Sequence, residues 1–163
     1  MAKHLALLIS IIFILYSCKT VNPPINQYQP LNTFIYVDVV KKKIIQDGIY
    51  KGEYSNKTNK EIIKWLKNNV KTNGFEGYTE IRLLDIVTSE NNTPKSFLIN
   101  IFVKIELSIF KSALDRKKTI IIEGDEYGEI NGSYTINDKS IEVENTIKRL
   151  IEKFTINLVK KIN

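Results

Sequence analysis

Residues 96–111 read SFLINIFVKIELSIFK, and they constrain the fold of this chain more than any other stretch. Phe97, Ile99, Ile101, Val103, Ile105, Leu107 and Ile109 occupy seven successive alternate positions. Side chains alternate across a strand with period two, so only an extended strand puts all seven on one face. Asn100, Lys104, Glu106 and Ser108 point the other way, which is the pattern of an antiparallel strand with one face on a core. Leu98, Phe102 and Phe110 share that second face. They are either partly covered by neighbouring side chains or exposed for a partner.

Three other strands and two helices complete the pattern. FIYVDVV at 34–40 is β-branched and aromatic, with Ile35, Val37 and Val39 on one face. YTEIRLLDIVTS at 78–89 sets Ile81, Leu83 and Val87 against Glu80, Arg82 and Thr88, and ENNTP makes the turn after it. TIIIEGDEYGEI at 119–130 is the last strand, closed by Asn131-Gly132. Thr58-Asn-Lys-Glu61 has the spacing of a capping box and opens a helix carrying Ile62, Ile63, Leu66 and Val70, which Asn73-Gly74 ends. Trp65 lies beside that stripe and reads as a core edge rather than a ligand platform. A terminal helix starts near Asp138 or Ser140; Val143, Ile147, Leu150, Ile151, Phe154, Leu158 and Ile162 follow helical spacing. Its basic end, Lys160 and Lys161, suits the helix dipole. Residues 41–57 are polar, with Gly48 and Gly52, and show no period.

The order strand, helix, strand, strand, strand, helix predicts an α+β two-layer sandwich. One mainly antiparallel four-stranded sheet would carry two helices on one face, since that arrangement buries every apolar stripe.

Ahead of this domain, Lys3 and His4 precede an apolar run from Leu5 to Tyr16, twelve residues without a charge. A membrane span needs about 20 apolar residues, whereas a secretory signal has a basic head and a core of roughly 7–15. The run ends in Leu15-Tyr-Ser-Cys18, which resembles the bacterial lipobox, with Leu three residues before a Cys and a small residue just before it. Tyr16 departs from the usual small residue there. The resemblance implies cleavage before Cys18 and acyl chains on it. Residues 1–17 are then a lipoprotein signal peptide, 18–33 a proline-bearing lipidated tether, and 34–163 a single domain. Lys19 stands where many inner-membrane lipoproteins carry Asp, which favours the outer membrane.

Composition removes several function classes. Cys18 is the only cysteine and His4 the only histidine, so the mature chain has neither an intramolecular disulfide nor a histidine. Ser-His-Asp and Cys-His catalysis and ordinary zinc sites are excluded. No metal site and no cofactor beyond the acyl chains on Cys18 is expected. Removal of residues 1–17 leaves 23 Lys and Arg against 18 Asp and Glu. That diffuse excess suits an anionic partner such as phosphorylated lipid without requiring one, and behind a secretion signal it argues against nucleic acid. The best local cluster is Lys111, Arg116, Lys117 and Lys118 in the hairpin loop after the long strand. Taken alone it reads first as a solvated turn, and in second place as an anionic-lipid contact.

Glu123, Asp125, Glu126 and Glu129 are the only hint of an enzyme, because paired carboxylates hydrolyse glycosides. Such clusters are usually solvent-facing, and no catalytic residue is expected. Gly124, Gly128 and Gly132 lack the Lys-Ser/Thr of a phosphate loop.

Three stretches carry a further resemblance: EIIKWLKNNVKTNGFE, the alternating strand at 97–110, and GSYTINDKSIEVENTIKRLIEKFTINLVKKI. Behind a lipobox they resemble the LPS-assembly lipoproteins, the LptE-like group. The sister YajG-like lipoproteins share the layout. The first resemblance implies a structural outer-membrane role, plugging an LptD-like β-barrel and supporting its assembly, in contact with lipopolysaccharide. The second implies an auxiliary lipoprotein of a transport or secretion system. Fold analogy by itself assigns neither job.

Overall fold

The structure is a computed structural model that describes residues 33–111 and 117–162. Its strands and helices, in chain order, are β1 (Ile35–Val37), β2 (Lys41–Ile45), β3 (Ile49–Lys51), α1 (Ser55–Asn69), β4 (Val70–Thr72), β5 (Tyr78–Thr93), β6 (Ser96–Phe110), β7 (Lys118–Asn131) and α2 (Ile136–Ile162). The class is α+β, as expected from the sequence. The sheet differs from the four-stranded antiparallel sheet expected. It has five strands and is mixed. β6 pairs antiparallel with β5 and β7, while β2 and then β3 pair parallel with the other edge of β5.

The parallel edge follows from connectivity. A parallel return needs a crossover, and α1 supplies it between β3 and β5. The same crossover pairs β1 parallel with β4 in a separate two-stranded sheet, so the strand expected at 34–40 is outside the main sheet. β2 and β3 escaped the sequence reading because both are short, half-exposed edge strands without apolar alternation.

All seven alternating residues of β6 are buried, and Ile35, Val37 and Val39 join the same core. Each such side chain contributes about 2 kcal/mol on leaving water. Both helices lie on this face. Ile62, Ile63, Trp65 and Leu66 of α1 and Val143, Ile147, Leu150, Phe154 and Leu158 of α2 fill one continuous cluster with the sheet.

β5 changes phase midway. The register breaks between Leu83 and Asp85, leaving Leu84 as the extra residue of a bulge. Ile81 and Leu83 are buried before it, Ile86 and Thr88 after it, and Val87 is 40% exposed. The expected pairing of Val87 with the core and Thr88 with solvent is therefore reversed, as one inserted residue does to any strand. Gly48 sits over the bulge. A Cβ there would lie 2.1 Å from the Leu83 carbonyl oxygen and 2.2 Å from that of Leu84.

Helix ends also differ from expectation. α1 starts at Ser55, before the supposed capping box. Thr58 lies within the first turn and donates its hydroxyl to the Tyr54 carbonyl at 2.9 Å. At the other end Val70 is already extended, so Gly74 caps nothing. Instead the Lys42 ammonium donates to the carbonyls of Leu66 at 3.2 Å and Lys67 at 3.0 Å, and to that of Val70. One cation therefore bridges the carbonyls where the helix gives way to β4, that of Leu66 also accepting from the Val70 N–H. Burial, and after it the charge of Lys71, pushes the Lys42 pKa down. α2 starts at Ile136 behind a capping box made by Thr135 and Asp138. Thr135 N–H donates to Asp138 Oδ2 at 2.8 Å, and Asp138 N–H donates to Thr135 Oγ1 at 3.1 Å.

Candidate functional site

Cys18 and Arg116 lie outside the described residues. The other three cations of the hairpin cluster come to one end of the main sheet, each with its own protein partner. Lys111 Nζ is 2.6 Å from Asp38 Oδ2. Lys117 Nζ lies 3.9 Å from Glu106 Oε1 and 5.6 Å from the centre of the Phe110 ring. Lys118 donates to the main-chain carbonyl of Ile162 at 3.2 Å, where the dipole of α2 favours a cation.

Other loops close on the same end. Val40 N–H donates to the Glu76 carbonyl at 3.1 Å, and Gly74 N–H to that of Val39 at 3.1 Å. These bonds hold the 38–40 and 73–77 segments side by side. Phe75 on the second segment is fully exposed. Tyr78 opposes Phe110 across the β5–β6 ladder, and their rings stack at 4.5 Å and 11°. Lys41 is the β2 partner of Tyr78. Lys71 lies over the Phe34 ring at 5.5 Å, and Asn69 donates to the Thr33 carbonyl at 3.2 Å. The described chain therefore begins at the end of the molecule that carries the hairpin.

The sheet face opposite the helices is left open by the described residues. Val87 and Asp125 flank Phe102 there, and Ser89 and Tyr127 flank Asn100. Lys104 faces Glu123 across the ladder at 3.1 Å. The carboxylate run of β7 is split by the pleat. Glu123, Asp125 and Glu129 face outward, while Glu126 points inward to Arg149 and Lys153. The exposed Tyr127 hydroxyl has its pKa raised by its hydrogen bond with Asp125 and by that carboxylate's charge. Among the described residues, no group of three or more His, Cys, Asp or Glu could hold a metal ion, and no helix is long and apolar enough to cross a membrane.

The most elaborate polar cluster was missed by sequence reasoning. Arg149 Nε is 3.1 Å from Glu126 Oε1, and its terminal nitrogen donates to Glu142 Oε1 at 3.0 Å, Thr146 Oγ1 at 3.1 Å and the Tyr127 carbonyl at 2.8 Å. Glu142 is 8% exposed and Thr146 fully buried. The available signal was the i, i+4, i+7 spacing of these three residues on one helix face. Further along α2, Lys153 reaches the Asp125 carbonyl at 3.4 Å and Lys161 that of Ile121 at 2.7 Å. Carbonyls two or four residues apart on a strand point the same way, so these donors occupy the outer edge of β7. An occupied edge does not accept another strand.

No protein-family model matches the chain, and no curated protein matches it in sequence. Solved structures similar to it include a minor lipoprotein from Acinetobacter baumannii, at 13% identity over 76% of this chain and 92% of that one, TM-score 0.41. A protein described as a lipoprotein from Caulobacter crescentus CB15 matches at 11% identity over 73% and 89%, TM-score 0.43. One described as a neuraminyllactose-binding hemagglutinin homolog from Helicobacter pylori matches at 10% over 86% and 91%, TM-score 0.37. These neighbours are bacterial proteins at low identity, and the scores are too low for the likeness to carry fold or function to this chain.

Proposed function

We propose that this chain is a bacterial lipoprotein, acylated at Cys18, whose α+β domain is held at the outer membrane and performs a structural rather than an enzymatic role. The observation that carries the reading is Leu15-Tyr-Ser-Cys18 placed directly after a basic head and twelve apolar residues. Acyl chains contribute about 0.8 kcal/mol per buried methylene, so multiple chains hold a domain firmly at a surface. Residues 18–33 are the tether, and the only cofactor-like group is the acyl modification itself.

The finer reading is an LptE-like component of lipopolysaccharide transport, with an LptD-like β-barrel as protein partner. Two features support it. The open sheet face offers Val87, Leu98, Phe102 and Tyr127 among charged neighbours, while the outer edge of β7 is occupied by α2, so a barrel would meet the face. Lys111, Lys117 and Lys118, with Arg116 between them in sequence, are the cations assigned to phosphorylated lipid. The split carboxylates on β7 support the non-enzymatic role.

Affinity capture of the lipidated protein from detergent-solubilised outer membranes tests the partner. A large β-barrel at near-equal stoichiometry is the expected result; a permease, or no co-purifying protein, replaces this reading with an auxiliary YajG-like role. Metabolic labelling with radioactive palmitate tests the anchor, and label retained by Cys18→Ala would end it.

A further inference from the structure

We infer that the end of the domain at which the chain enters rests directly on an anionic bilayer surface, through exposed aromatic rings set among lysines. The inference builds on the lipid-anchor reading above and adds a defined orientation, which an anchor alone does not impose. The sixteen residues from Cys18 to Thr33 can span up to about 50 Å, enough to hold the domain well clear of the membrane.

Three observations select this end. The first is where the chain enters. Thr33 is bonded to Asn69, and β1 runs beside β4, so the described chain enters the domain here. The second is the clustering of exposed apolar groups. Phe34 is 46% exposed, Tyr36 55%, Phe75 101% and Tyr78 44%. Aromatic side chains of this kind, with one apolar and one wettable side, concentrate at the headgroup level of membranes. A fully exposed Phe in a tight loop held by backbone bonds on both sides has no role in the core. The third is charge. Lys41, Lys71 and Lys117 flank those rings, and Lys160 lies in the last turn of α2 beside Ile162. The nearest described carboxylates are Asp38, which Lys111 already neutralises, Glu106, which faces Lys117, and Glu76. A surface of negative lipid attracts such a cluster by about 1 kcal/mol for each nearby cation.

The same end carries the C-termini of both helices, and Lys42 and Lys118 sit on their carbonyls. That placement cancels the partial negative charge that would otherwise face the lipid. In the resulting orientation β5, β6 and β7 stand away from the bilayer. Val87 on the open sheet face pairs with Phe102, eight residues along β6 from Phe110. It would lie about 26 Å farther from the membrane at ~3.3 Å per residue.

The test uses the acylated, full-length mature protein on vesicles containing phosphatidylglycerol brominated in its acyl chains. Two single variants, Phe75→Trp and Val87→Trp, each add one indole at an exposed site, and the buried Trp65 supplies a constant background. The expected result is loss of most of the emission added at position 75 and retention of that added at 87. Lys41→Glu with Lys71→Glu, introduced into Phe75→Trp, should restore the lost emission while the protein still floats with the vesicles. Protein that floats with Trp at 75 unquenched, or quenched at 87 instead, overturns the orientation and leaves the anchor standing. Protein that does not float at all overturns both.

Discussion

Gly128→Ala should destabilise the protein far more than Gly124→Ala, although both glycines lie on the inner face of β7. The Cβ added at 128 would lie 2.2 Å from Thr146 Oγ1, 2.8 Å from Glu142 Oε1 and 2.9 Å from Ile99 Cγ2. Thr146 cannot simply rotate away, because its hydroxyl donates to the Glu142 carbonyl at 2.8 Å and accepts from Arg149 at 3.1 Å. Losing two such bonds costs about 1 kcal/mol each, and overpacking a tight interface adds about 1–3 kcal/mol. Ala returns about 0.5–1 kcal/mol through lower chain entropy in the unfolded state. The net expected loss is about 2–4.5 kcal/mol. At position 124 the new Cβ meets only the tip of Phe154 at 3.2 Å and Leu150 at 3.9 Å, contacts that a flexible ring relieves. Urea unfolding followed by circular dichroism measures both. With a slope of about 2 kcal/mol per molar, the midpoints of the two variants should differ by roughly 1–2 M. Thr146→Ala removes the clashing oxygen, so the double variant should lose about 1 kcal/mol less than the sum of the singles. Equal midpoints for the two glycine variants, or strict additivity with Thr146→Ala, would refute the clamp between β7 and α2.

Arg149→Met leaves Glu126 and Glu142 without their shared guanidinium at a largely buried site and should cost about 3 kcal/mol in the same unfolding assay; a loss within 0.5 kcal/mol would contradict the geometry. The bulge at Leu84 predicts opposite outcomes for neighbours: Ile86→Ala should cost about 2–5 kcal/mol, while Val87→Thr should stay within about 0.5 kcal/mol, as read by melting temperature. At the far end of the sheet, Lys139 Nζ sits 3.2 Å from Glu90 Oε2 and 5.0 Å from the Phe97 ring centre. Burial acts to raise the Glu90 pKa, but hydrogen bonds with Glu53 and Lys139 and the lysine's charge hold it below the usual carboxylate range. A depressed carboxylate contributes stability above its unfolded pKa and loses it as pH falls through the folded value. Wild-type stability should therefore drop below about pH 4, and Lys139→Met should flatten that part of the curve; an unchanged acid limb would exclude the pair as its source.

Legibility varied from element to element for physical reasons. β6 was readable residue by residue, since a strand with one face on a core must alternate and its seven apolar residues are all buried. The apolar stripes of α1 and α2 were readable on the same ground. β5 was readable as a strand but not in phase beyond Leu83, because a bulge needs no special residue on its own strand. The residue that comes close to it, Gly48, lies in the loop between β2 and β3. The hairpin lysines were visible as a cluster, and Glu106 lies on the adjoining strand, whereas Asp38 and Ile162 are distant in sequence and come near only through the segment after β1 and through α2. Phe34, Tyr36 and Phe75 gave no local sign of belonging together.

By itself, then, the sequence determined which face of each long element is apolar, the α+β class, and the signal-like run ending at Cys18. These are local properties, written in period and composition within a few residues of one another. Tertiary structure alone decided that β2 and β3 add a parallel edge, that Gly128 must be bare to admit Thr146, and that the chain's entry point, the exposed rings and the lysines share one end. Each depends on the crossover through α1 and on the return of α2 across the sheet. Contacts between residues tens of positions apart follow from how elements pack, and no local pattern records them.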